Sequence, residues 1–292
     1  MSEPHAHLLS WSLPFAVLAA VVELIYLRGW ISLRRAFPRL IARWRLVAFT
    51  AGLTVVWAGV ASPLATLDHR SLTLHMVKHL LLMTVAAPLI LVGSPAFPVV
   101  CGLPKLFIKR DPPVVSLPAR WLERCLINPV PCWLAGTAVV IGWHLPVAFQ
   151  WAMRSQWAHS LEDICFLVAG LLFWWPIVQS WPSATRSPRW SMALYLFLAT
   201  MPCDILSAFF VFSNRLLYPV YLSTPKLLSL PPLQDQECAG ALMWVWITFA
   251  YLIPAVAITV QILSPWNTQP QRSIHAAWQR VPGGSIDGAG VH

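Results

Sequence analysis

Seven stretches of about twenty mostly apolar residues run along this chain, separated by short polar or proline-rich segments: Leu8–Leu27, Leu46–Ala65, Leu74–Val92, Val130–Trp151, Ala158–Val178, Trp190–Phe212 and Cys238–Ile262. Each is long enough to cross the hydrocarbon core of a bilayer as a helix. None alternates in the two-residue manner of a strand. The pattern predicts an all-α, polytopic integral membrane protein, a bundle of seven transmembrane helices over residues 1–265, followed by a flexible cytoplasmic tail over 266–292. Prolines such as Pro146, Pro202 and Pro254 fall inside or near the ends of these stretches, where membrane helices tolerate them better than soluble ones. The Pro-rich segment Ser94–Pro129 is the longest loop.

Composition agrees with the pattern. Of 292 residues, 58% are hydrophobic and 11% charged, against roughly 25% charged in a soluble domain, so the coat of a water-exposed surface is missing. The formal charge of +9 raises nucleic-acid binding, but its distribution answers otherwise. Arg28, Arg34, Arg35, Arg39, Arg43 and Arg45 lie in the first loop, Lys105, Lys109, Arg110, Arg120 and Arg124 in the third, Arg186 and Arg189 in the fifth, and Arg272 and Arg280 in the tail. Only Arg70, Lys78, Arg154, Arg215 and Lys226 lie in the alternate loops. Basic residues gather in loops retained in the cytoplasm, which puts the N-terminus outside and the C-terminus in the cytoplasm, and leaves no role for a polyanion. Residues 1–7 lack the basic n-region of a secretory signal, so the first stretch reads as a retained helix. The six cysteines form no C-x-x-C pair and read as small buried hydrophobes, with Cys238 set apart by its polar surroundings.

With this orientation the polar residues converge on one membrane face. His75 and His79 open the third helix, His144 nears the outer end of the fourth in W-H-L-P, His159, Glu162 and Asp163 open the fifth, and Asp235 leads into the seventh. His75 and His79 are i, i+4 and share a helix face; Met83, at i+8, falls about 80° from His75 on the same stripe. Imidazole with thioether suits copper, particularly Cu(I), while Glu162 and Asp163 orient an imidazole from behind or ligate directly. Interhelical hydrogen bonding is the competing role for the same histidines. Met76, like Met201 and Met243, reads as lipid- or core-facing. Asp204 is costly at membrane depth and should face the bundle, and Glu23 should snorkel or pair with Arg28. Walker, dinucleotide, G-x-S-x-G and H-E-x-x-H motifs are all absent from the sequence, so hydrolase and nucleotide-driven pump chemistry has no foothold, and the chain reads as a non-enzyme.

The run H-M-V-K-H-L-L-L-M-T-V-A-A-P-L-I-L-V-G-S-P (His75 to Pro95) resembles the signature of the CtaG-like, multi-span cytochrome c oxidase assembly family. W-H-L-P and H-S-L-E-D leading into L-L-F-W-W-P are similar to its second block, and L-Y-P-V-Y (Leu217 to Tyr221) and D-Q-E-C-A-G-A-L-M-W-V (Asp235 to Val245) to its third and fourth. The resemblance implies a bacterial plasma-membrane protein that matures a haem–copper oxidase, holding copper and passing it to an oxidase subunit. By position, His75, His79, His144, His159 and Asp235 match the family's recurrent polar residues. Asp163 departs from it, standing where the family usually has a second histidine in H-x-L-E-H. Two alternatives stay open: a haem-binding electron carrier with histidine axial ligands, and a copper permease, which the scarcity of polar residues in the cytoplasmic half argues against.

Overall fold

The computed structural model describes residues 3–36, 42–103, 128–178, 189–222 and 230–264, and every regular element among them is helical. The long helix α1 (Glu3–Ala36) is followed by α2 (Arg43–Val60), a 3₁₀ segment (Pro63–Arg70), and α3, which runs over 72–92. A short α4 (Ala96–Gly102) follows, then α5 (Pro129–His144), α6 (Pro146–Arg154), α7 (Gln156–Val178), α8 (Arg189–Phe212), a second 3₁₀ turn (Pro219–Leu222) and α9 (Pro232–Leu263). Among the described residues, five helices are long and apolar enough to span a membrane, in α1, α3, α7, α8 and α9, with α5 and α6 together making a sixth. The outward surfaces of these helices carry large apolar side chains such as Val17, Leu24, Phe197, Phe209, Phe249 and Ile253. Lipid accepts such a surface and water does not. The chain is a multi-pass membrane protein.

Two departures from the expected helices bear on the site. The stretch Val130–Trp151 is not one straight helix: α5 and α6 meet at an angle of 72°. Pro146 has no N–H to continue the ladder and pushes the preceding residue out of the α region; Leu145 accordingly sits at φ −63°, ψ 134°. The break leaves the His144 carbonyl without a helical partner, and the Tyr218 hydroxyl donates to it at 2.7 Å. Irregular backbone at membrane depth is tolerated only where protein satisfies it in this way. The second departure is a π-turn in α3 over Leu82–Ala86, where the Ala87 N–H reaches back five residues to the Leu82 carbonyl. Single π-turns free a carbonyl; here Trp174 Nε1 donates to the Met83 carbonyl at 3.0 Å. The backbone of α7 comes so close that a Cβ on Gly170 would lie 2.8 Å from the Met83 oxygen and 2.9 Å from the Ala87 Cβ. Glycine is what permits the approach.

Helix α3 is the axis of the bundle. It packs against α2, α7 and α9, and 67% of its span is buried, the largest share of any candidate span. Its first turn is held from α9. Asp235 accepts hydrogen bonds from the Leu72 N–H at 2.7 Å, the Thr73 N–H at 3.3 Å, the Ser71 hydroxyl at 2.8 Å and the Thr73 hydroxyl at 2.6 Å. The exposed N–H groups that begin a helix need such partners, and a carboxylate suits that end of the dipole. Next in sequence, Gln236 accepts from the Leu217 N–H at 2.8 Å and donates to the Arg215 carbonyl at 3.2 Å, pinning the loop that carries Tyr218 and Tyr221. Glu23 pairs with a neighbour other than Arg28: the Thr50 hydroxyl donates to it at 2.7 Å. Cys132 and Cys203 are buried, whereas Cys101 and Cys238 are exposed; Cys125, the tail after Ser264 and most of the loop before Asn128 lie outside the described residues.

Candidate metal centre

Helical spacing brings His75 and His79 to one face of α3, and α7 sets Glu162 against them. The two Nε2 atoms are 2.8 Å apart, and Glu162 Oε1 lies 3.5 Å from the first and 3.4 Å from the second. His75 is 1% exposed, His79 4% and Glu162 1%. The three donor atoms, one from each residue, form a compact set able to hold one ion. Phe166 stacks on the His79 ring at 4.0 Å between centroids, and Phe149 meets the His75 ring edge-on at 5.0 Å. The Nδ1 atoms of both imidazoles are buried without a hydrogen-bond partner.

A second cluster adjoins the first. Lys78 Nζ lies 2.6 Å from Asp68 Oδ2, 2.8 Å from Asp163 Oδ1 and 2.8 Å from His159 Nε2. His159 Nε2 is in turn 2.9 Å from Asp68 Oδ2, and its Nδ1 is 3.4 Å from Glu162 Oε2. Asp68 belongs to the 3₁₀ segment ahead of α3. Burial alone would raise its pKa, but the Lys78 ammonium and the His159 imidazole hold it well below the carboxylate range. The Tyr221 hydroxyl donates to the Asp68 carbonyl at 3.0 Å; burial raises this phenol far above its ordinary value, which keeps it a donor.

Charge decides what such a cluster lacks. Asp68, Glu162 and Asp163 are all buried, and Lys78 is the ammonium among them. With all three carboxylates ionised and the imidazoles neutral, one ammonium would leave two negative charges uncompensated. Buried charge without compensation is expensive. A divalent ion, or protons on the imidazoles, would restore balance.

The structure gathers His75, His79, His159, Glu162 and Asp163, as their helix positions suggest. His144 lies beside them: its Nδ1 donates to the Val140 carbonyl at 2.6 Å and its ring meets Phe166 at 6.1 Å. Two further expected ligands have other neighbours. Met83 falls in the π-turn, where its Cε would lie 3.5 Å from a Cβ on Gly136, and it makes no hydrogen bond to the imidazoles. Asp235 is committed to the start of α3, with both oxygens occupied. The donor set is therefore two imidazoles and a carboxylate, borderline in softness and suited to Cu(II) or Zn(II). Sequence reasoning passed over Asp68 and treated Lys78 only as an outer-face cation. The signal for Lys78 was its i, i+3 spacing from His75, which puts it on the imidazole face.

Fold and cluster define a class: a multi-pass helical membrane protein that surrounds a buried imidazole–carboxylate cluster. Within that class the chain belongs to the cytochrome c oxidase caa3 assembly factor family, which it matches over residues 24–264. It is 25% identical over 271 residues to an uncharacterised protein of Mycobacterium leprae, an alignment that covers 87% of this chain and 38% of that one. Uncharacterised proteins of Mycobacterium bovis and Mycobacterium tuberculosis are each 26% identical over 266 residues, covering 86% of this chain and 38% of theirs. The chain thus spans well under half the length of these curated relatives. No solved structure matches it.

Proposed function

We propose that this chain assists the assembly of a haem–copper cytochrome c oxidase by holding copper at His75, His79 and Glu162 and releasing it to an oxidase subunit. The family match supports the assembly role. The observation that carries the copper role is the meeting of two imidazole nitrogens and a carboxylate oxygen, all buried and close enough together to hold one ion. His159 faces the other oxygen of Glu162 and, with Lys78 and Asp68, positions that carboxylate. The copper is cargo, and no covalent chemistry on a substrate is involved.

In this reading α1, α2, α3, the bent α5–α6 pair, α7, α8 and α9 are the seven spans, in the plasma membrane of a bacterium. The asymmetry of basic residues puts the start of α3, and so the copper site, near the outer face. Copper would then be exchanged on the side where an oxidase subunit presents its own outer site. A haem-binding carrier, with His79 and either His144 or His159 as axial ligands, finds less support: Phe166 packs against the rings of both His79 and His144, and Lys78 and Asp68 lie against His159 Nε2. Axial ligands must face each other across a porphyrin.

The test is complementation. Cells lacking their own copy and supplied with His75→Ala/His79→Ala should keep the protein in the membrane and lose oxidase activity. Full activity at normal protein levels would return the histidines to a structural role.

A further inference from the structure

Met76 and His144 make a contact that the hydrogen bonds of a neutral imidazole do not explain. His144, the last residue of α5, donates from Nδ1 to the Val140 carbonyl at 2.6 Å. A carbonyl only accepts, so the ring proton is on Nδ1 and the neutral imidazole has a bare lone pair at Nε2. That lone pair is directed at Met76 Sδ, 3.2 Å away. A thioether has no hydrogen to offer. Met76 is 1% exposed and His144 7%, and the other rings around His144, Phe166 and Phe210, supply no N–H or O–H. Two electron-pair donors thus face each other inside the bundle.

We propose that Met76 Sδ and His144 Nε2 form a second, soft cation site, which takes a monovalent d¹⁰ ion of the Cu(I) class and is separate from the His75–His79–Glu162 set. Thioether with imidazole selects soft ions over divalent ones. The Nδ1–H to carbonyl bond is the outer contact that orients a metal-bound histidine and leaves Nε2 to ligate. Sequence alone could not pair these residues, since Met76 and His144 lie 68 positions apart and Met76 reads there as a core or lipid-facing side chain. Their neighbourhood gives the site a purpose. Met76 follows His75 directly on α3, and Phe166 touches the rings of both His79 and His144. An ion could therefore pass between a borderline site and a soft one across a single aromatic ring. That copper is the physiological ion rests on the assembly reading above; the preference for a soft ion rests on the donor atoms alone.

Silver(I) is the probe, because it is soft and redox-silent. The purified, detergent-solubilised chain is stripped of metal and titrated separately with Ag(I) and Zn(II), beside Met76→Leu, a near-isosteric change, and His75→Ala/His79→Ala. The expected result is a tenfold or greater loss of Ag(I) affinity in Met76→Leu with Zn(II) uptake unchanged, and the reverse in the histidine variant. X-ray absorption at the silver edge should show a sulfur neighbour in the wild type that Met76→Leu lacks. Selenomethionine-labelled wild type needs no substitution, and its selenium edge should show a silver neighbour. Equal Ag(I) binding in wild type and Met76→Leu, or selenium without a silver neighbour, overturns the soft site and leaves an N–H···S bond from a protonated His144. Zn(II) uptake that survives in the histidine variant would instead count against the site under "Proposed function", with the soft site intact.

Discussion

Lys78 Nζ stands 2.8 Å from His159 Nε2, inside the ring of metal-type ligands and not at its edge. An ammonium has three hydrogens and no lone pair, and Asp68, Asp163 and His159 surround it. Lys78 is thus a fixed cation among residues that would otherwise suit a second metal ion. His159 Nε2 is shared between this ammonium and Asp68 Oδ2, 2.9 Å away, so the three groups form one coupled set.

Lys78→Met should therefore do two things. The metal-free variant should lose about 3–5 kcal/mol, the usual effect of removing one member of a buried ion pair. Added Zn(II) should raise its melting temperature more than that of the wild type, because an ion can take the vacated place. Thermal unfolding in detergent with and without metal reads both; a variant as stable as the wild type and indifferent to Zn(II) would show that the ammonium compensates nothing.

Asp235→Ala should separate architecture from metal binding. The Leu72 and Thr73 N–H groups and the Ser71 hydroxyl lose their acceptor, while the Thr73 hydroxyl keeps the backbone carbonyl of residue 235 at 3.1 Å. Lost caps and stranded buried donors together suggest about 2–4 kcal/mol. Metal bound per folded molecule should stay at the wild-type level. If Asp235→Ala kept full stability and lost its metal, the carboxylate would be a ligand after all.

The pH dependence of Asp68 has a definite sign. Its folded pKa is held far below the ordinary 3.8, so the stability it contributes is full above that ordinary value and fades as pH falls below it. The melting-temperature gap between wild type and Asp68→Asn should hold steady from about pH 7 to pH 5 and narrow below about pH 4. A gap that closes already near pH 6 would mean that a histidine, not Asp68, carries the linkage.

Much of this was legible in the residues because a bilayer makes polar groups conspicuous. Apolar runs of spanning length marked the helices, and His75, His79, His159, Glu162 and Asp163 stood out against them at helical spacing. What escaped lay where local geometry departs from a regular helix. The π-turn at Leu82–Ala86 frees the Met83 carbonyl for Trp174, and no helical wheel contains such a turn. The 72° bend at Pro146 sets the direction of His144, and its proline was visible while the angle was not. Asp68 sits in a 3₁₀ segment outside every apolar run, and only the folded chain brings it to Lys78. Asp235 was noticed for its charge, but the N–H groups it serves lie 162 and 163 positions away.

The most direct measurement is electron paramagnetic resonance, with metal analysis, on the purified chain loaded with Cu(II), wild type beside His75→Ala/His79→Ala. Stoichiometric copper with nitrogen couplings from two imidazoles, both lost in the variant, is what a His75–His79–Glu162 site requires. Negligible copper in both proteins, or identical spectra from the two, would mean that these imidazoles serve only to hold α3 against α7.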